Sequence, residues 1–179
     1  MRNPVSVVDT NVPVVANGDS HASLACQRNC VRKLEEIMRK GRLVIDDRWL
    51  IIHEYKDNLR SQGQPGVGDA FLRWVLTNRC NPNVCEMTPI TPGSCVDSSF
   101  IEFPDDPLLK KFDVDDRKFV AVAVAHKEHP PILQAADSKW WGWKDALKRN
   151  HIEVLFLCED ELKSTYRKKL RRKSVRKRS

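Results

Sequence analysis

Four short apolar runs, at residues 4–8, 43–45, 132–136 and 154–157, restrict the architecture of this chain more than any other feature. Unbroken runs of this kind, rich in Val, Ile and Leu, suit strands covered on both faces, as strands of a parallel sheet are. The segments between them carry apolar residues at helical spacing. Helices are predicted over 10–16, 21–40, 46–60, 67–76, 115–126 and 139–150, with a last one from 159 onward. Basic residues and then Gly41 close the second of these, as a helix end requires. Alternating strand and helix predict an α/β domain, a three-layer α/β/α sandwich around a central parallel sheet of about four strands. Such sheets take their ligands at the carboxyl ends of the strands, above all where the strand order reverses.

With 179 residues the chain can bury one proper core but not two of ordinary size. Its net charge of +7 is unevenly spread. Lys163 to Ser179 hold ten Lys or Arg and no acid; the first 162 residues hold the other 21 basic residues and all 24 acids, a balance of −3. The predicted organisation is therefore a mildly acidic domain over 1–162 and a basic tail over 163–179. An irregular insertion at about 78–107 interrupts the domain; its first part, 78–104, contains four prolines, one glycine and three cysteines. No run of eighteen apolar residues exists, so no membrane span is expected. The N-terminus lacks the apolar stretch of a secretory signal before Asp9. Reduced cysteines in a cytoplasmic protein are the corresponding expectation.

Four acids stand out by position. Asp9 and Asp137 each follow a predicted strand, Asp116 opens the apolar helix Phe119-Val120-Ala121-Val122-Ala123, and Glu54 lies among Ile51, Ile52 and Tyr55. An acid in apolar surroundings costs free energy unless it faces a polar site. Clustered carboxylates also raise one another's pKa, so such a group persists chiefly where cations neutralise it. Oxygen ligands suit the hard ions Mg2+ and Mn2+, and a pair of such ions can clamp both oxygens of a phosphodiester displacement. Each acid also has an ordinary reading: an aspartate at a strand–helix junction serves as an N-cap, and Glu54 fits a solvated helix face.

The ordered set Val7-Val8-Asp9-Thr10-Asn11-Val12, Ile51-Ile52-His53-Glu54-Tyr55, Asp116-Arg117-Lys118-Phe119-Val120-Ala121-Val122-Ala123 and Ala136-Asp137 closely resembles the PIN-domain nucleases. The similarity spans roughly residues 4–160 and is strongest to bacterial and archaeal stand-alone forms, often toxins of toxin–antitoxin pairs. It implies a hydrolase, a divalent-metal-dependent endoribonuclease that leaves a 5′-phosphate and a 3′-hydroxyl. Asp9, Glu54, Asp116 and Asp137 would be the catalytic quartet holding Mg2+ or Mn2+. Asn11 would support Asp9, Ser138 would stand near the last acid, and Asp115 would replace Asp116 in a shifted register. RNA or another single-stranded nucleic acid, an antitoxin protein and a second copy of the chain are the partners the resemblance brings into view. The same acids serve a nuclease acting on DNA flaps or single strands, or survive in a non-catalytic nucleic-acid-binding module. Two departures are visible: the 78–104 stretch is longer than in compact members, and Gln134-Ala135-Ala136-Asp137 replaces the frequent Val-Thr-x-Asp form. A haloacid-dehalogenase-type phosphatase would need an Asp where Asn11 stands.

Outside the quartet, Arg167, Lys168, Lys169, Arg171, Arg172, Lys173, Arg176, Lys177 and Arg178 form a polycation suited to phosphate binding by counterion release. Cys80, Cys85 and Cys95 lack the paired spacing of a structural zinc site, and a fourth ligand would have to come from Cys26, Cys30 or a histidine. Trp140, Trp141 and Trp143 offer a base-stacking platform or, the favoured reading, core packing. His126 and His129 are expected at the surface.

Overall fold

A computed structural model describes residues 3–93 and 99–176, and their side chains apart from Leu170 and 172–176. Five strands form one parallel sheet: β1 (Val5–Val8), β2 (Arg42–Asp46), β3 (Cys85–Thr88), β4 (Ile132–Gln134) and β5 (Val154–Phe156), in the order β3-β2-β1-β4-β5. Around it lie α1 (Asn11–Asn17), α2 (Leu24–Lys40), α3 (Leu50–Asn58), α4 (Val67–Asn78), α5 (Arg117–Ala125), α6 (Ser138–Arg149) and α7 (Glu159–Arg176). The α/β sandwich expected from the alternation is the one observed, with one strand more than the apolar runs predict.

The extra strand, β3, lies inside the segment read as irregular. Cys85-Glu86-Met87-Thr88 has no apolar run: Cys85 and Thr88 are buried, Met87 is 47% exposed, and Glu86 is held by charged partners. Its Glu86 is held by Arg42 of β2 and by His126 Nε2 at 3.2 Å. His126 is accordingly buried, contrary to the expectation for it, whereas His129 is exposed. A polar residue can sit on a sheet edge when a charged partner takes its hydrogen bonds.

Why the central strands read so clearly is plain from the core: Val7, Val8, Leu43, Val44, Ile45, Ile132 and Leu133 are all fully buried. The small Ala and Val side chains of α5 let it pack closely on β1, β2 and β4. Helices α1, α2 and α4 pack together, and Gly68 permits the closest approach: a Cβ there would stand 2.0 Å from the Pro13 carbonyl oxygen.

Two further expectations change. Cys26 of α2 and Cys158, just before α7, are joined in a disulfide, so the thiols are not all reduced. Folding brings together cysteines 132 residues apart, a proximity that spacing along the chain does not reveal. Asn29 Nδ2 to the Leu157 carbonyl (3.0 Å) and Ser23 Oγ to Glu161 (2.6 Å) flank the same junction. The basic segment also begins inside a helix: α7 runs through position 163 without a break. Among the described residues, no helix is long and apolar enough to cross a membrane.

Candidate functional site

The strand order places the switch point between β1 and β4, and Asp9 and Asp137 follow those two strands. Asp9 is 1% exposed, with its Oδ1 accepting the Asn11 backbone N–H at 2.9 Å. Asp116 precedes α5 on the same side of the sheet core, and its Oδ2 accepts the indole N–H of fully buried Trp140 at 3.0 Å. Glu54 rides on α3. Buried Asp46, at the end of β2, fixes that helix by accepting N–H groups from Arg48, Leu50 and Ile51 at 2.8–3.0 Å. Tyr55, next to Glu54, donates its hydroxyl to the Val8 carbonyl, tying α3 to the end of β1.

Charge couples these acids. Burial first, and then the neighbouring Asp116 carboxylate, push the Asp9 carboxyl up to about 8, with Glu54 adding to the rise. Asp116 is pushed up to about 7 by burial, then by Asp113 and Asp137, with Glu54 contributing and the Trp140 hydrogen bond opposing. Asp137 therefore belongs electrostatically to the group, although it also caps α6 by accepting the Lys139 N–H at 2.8 Å. The capping role expected for an aspartate at that junction is the one observed. Asp115 is exposed and lines the same cleft as Glu54 and Lys118, whereas of the two neighbours it is the Asp116 carboxylate whose charge acts on Asp9.

No three of the quartet bring ligand oxygens within 4.8 Å of one another. Among the described residues the triplets that do are Cys26-Cys30-Cys158 and Glu86-His126-Glu128. Each quartet acid is held by its own local donor, and a cation already stands among them. Lys118, 8% exposed, forms an ion pair with Glu54 and donates to the Asp115 carbonyl. Lys139 pairs with Asp113 at 2.7 Å, and that contact holds the Asp113 carboxyl below the usual range. Lys118, Asp113 and Trp140 were missed as site residues. Lys118 lies within the Asp116-Arg117-Lys118 motif, and Asp113 opens the run Asp113-Val114-Asp115-Asp116, so a signal existed for both.

Two orphaned polar atoms lie at the same end of the sheet. The Thr10 hydroxyl and the Gln134 amide nitrogen are buried without a protein partner, one beside Asp9 and the other at the end of β4. Buried groups of this sort cost free energy unless something outside the protein chain satisfies them. Glu54 and Lys118 line an open cleft of about 560 Å3. A slightly larger cavity, about 620 Å3, lies away from the acids between α6 and β5, around Trp141.

The basic helix reaches this region. Lys169 Nζ donates to the Oγ of buried Ser138 at 2.7 Å, next to Asp137. Arg167 and Lys168 are exposed on the same helix. Lys177, Arg178 and Cys95 lie outside the described residues, as do the side chains of Arg172, Lys173 and Arg176. Of the tryptophans, Trp140 is core and site at once, Trp143 packs on Phe112, and Trp141 packs edge-on against Phe156 with Lys144 over its ring. No protein-family model matches the chain, and neither a curated protein nor a solved structure matches it.

Proposed function

We propose that the chain is a divalent-metal-dependent nuclease of PIN type that hydrolyses RNA at the acidic end of its β1–β4 switch point. The observation that carries the reading is the Asp9–Asp116 pair: two carboxyls from different elements, packed where burial and mutual repulsion both oppose their ionisation. A fold keeps such a pair at a cost, and Mg2+ or Mn2+ would relieve it. The donor chemistry fits a hard cation, being carboxylate oxygen throughout, with the unpartnered Thr10 hydroxyl oxygen beside Asp9. Asp9, Asp116 and Asp137 would hold the cation, and Glu54 would join when Lys118 gives way.

Bound divalent cations would supply Lewis-acid activation of water and neutralise charge on the phosphodiester. The chain's own residues orient and attract. Asn11 fixes the Asp9 carboxylate, Trp140 fixes Asp116, and the Lys139 N–H fixes Asp137. Arg167 and Lys168 on α7 draw a polyanion toward a face whose acids alone would repel it. Lys169 anchors that helix to Ser138, beside Asp137.

The Lys118–Glu54 ion pair favours a second reading, a nucleic-acid-binding module in which the lysine takes the cation's place. A side-by-side assay on single-stranded RNA and DNA in Mn2+ and in chelator separates the two. Metal-dependent cutting of RNA, abolished in Asp9→Asn and Asp116→Asn, supports the nuclease. Binding that persists in chelator, without cleavage under any metal, supports the module. Preferential cutting of DNA would move the substrate class while keeping the site.

A further inference from the structure

We propose that Cys26, Cys30 and Cys158 form a separate metal site, in which the three reduced thiols take a thiophilic d10 cation such as Zn2+ as thiolates. Their sulfur atoms all lie within 4.8 Å of one another. Tetrahedral Zn–S bonds of about 2.3 Å place sulfurs about 3.8 Å apart, so the Cys26 and Cys158 sulfurs, joined in the disulfide, move apart on reduction, while Cys30 already lies within reach of both. A disulfide accounts for two of the three sulfurs. The third, on Cys30, is completely buried against that bond and remains a free thiol. Cys26 and Cys30 are four residues apart on α2 and share one helix face, giving a close-spaced pair; Cys158 completes the set from the β5–α7 junction.

Glu161 lies outside the triplet but near it. The Glu161 carboxylate is pinned across the start of α2 by the Ser23 N–H (3.1 Å) and hydroxyl (2.6 Å), close enough for its charge to act on Cys30. Burial, and after it that charge, push the Cys30 thiol up to about 12, so its proton leaves only when a cation replaces it. Oxidised and metal-bound forms are alternatives of one site. A dithiol reductant breaks the Cys26–Cys158 bond and becomes a disulfide itself, while its two protons pass to the cysteines. Zn2+ then displaces three thiol protons. Either form ties α2 to the base of α7, the helix that carries the basic residues.

Co2+ serves as the probe, added to the full-length reduced chain, with Zn2+ competition to rank affinity. One Co2+ per chain with a thiolate-to-cobalt charge-transfer band is expected, displaced by Zn2+. Cys30→Ser should weaken it by about 100-fold or more, beyond the usual cost of an outer-shell contact. This variant still forms the Cys26–Cys158 disulfide, so its folding can be verified in the oxidised state. Cys80→Ser should bind as wild type does. Absence of the band in the reduced chain, an undiminished band in Cys30→Ser, or its loss in Cys80→Ser overturns the proposal. Cobalt held by the carboxylates gives no thiolate band, so the nuclease reading stands or falls separately.

Discussion

Without metal, the protein should lose stability as pH rises from 5 to 8, and Asp9 should be the main cause. The sign follows from the direction of the shift. Asp9 is raised from 3.8 to about 8, so between those values the native state binds more protons than the unfolded chain, and unfolding becomes easier with each pH unit. At 1.36 kcal/mol per unit, this one carboxyl takes away about 3–4 kcal/mol between pH 5 and pH 8. Asp116, raised to about 7, acts in the same direction. Ionising either acid opposes ionising the other, so the pair together should cost on the order of 4 kcal/mol, well short of two independent losses. The lowered carboxyls Asp69, Asp106 and Asp113 act the opposite way, but their contributions are complete above their ordinary value and do not enter this window. Urea unfolding in chelator at pH 5, 6, 7 and 8 measures the slope, and Asp9→Asn subtracts whatever else titrates. The variant should be the more stable protein at pH 8 and should lose at least half of the wild-type slope. Equal slopes in the two proteins would refute the buried, mutually repelling pair.

Other perturbations probe the same site from its neighbours. Lys118→Gln removes the cation beside Glu54 and should cost about 1–3 kcal/mol in chelator, less than a fully buried pair because Glu54 is partly exposed; thermal melts should show a larger gain from Mn2+ than in wild type. Trp140→Phe keeps the ring in the core but removes the hydrogen bond to Asp116, worth about 1.5–3 kcal/mol to a charged acceptor. The Asp116 carboxyl should rise further, and the pH–rate profile for cleavage should move to higher pH, which a purely structural role for Trp140 would leave in place. Replacing Arg167 and Lys168 together by Gln should weaken binding of single-stranded RNA and reduce the slope of log affinity against log salt by about 1.4, at 0.7 per phosphate contact. A fluorescence-anisotropy titration at several salt concentrations reads that change.

Residues that act through burial announced themselves in the sequence, and those that act through pairing did not. Val7, Val8 and the Ala/Val face of α5 form uninterrupted apolar patterns, so the acids at their ends, Asp9 and Asp116, could be placed before the fold was known. Strand β3 left no such pattern because its Glu86 is stabilised by Arg42, 44 residues away in sequence, and not by apolar neighbours along the strand. His126 was misplaced for the same reason: its burial depends on that glutamate. The Cys26–Cys158 bond and the Lys118–Glu54 pair are likewise products of tertiary approach, which local spacing does not encode. The helical course of the basic segment was only partly legible. Its acidic first turn, Glu159-Asp160-Glu161, marks a helix start, but its run of like charges reads as a solvated tail.

Whether the Asp9–Asp116 pair binds a catalytic cation is tested most directly by following Mn2+ occupancy and RNA cleavage in one titration. Electron paramagnetic resonance reports free Mn2+ while a labelled single-stranded RNA reports cutting. Binding and cleavage should rise together in the wild type, and both should be absent in Asp116→Asn, whose circular dichroism spectrum should match that of the wild type. Cleavage by Asp116→Asn at the wild-type rate, or Mn2+ binding by it with unchanged affinity, would contradict the assignment.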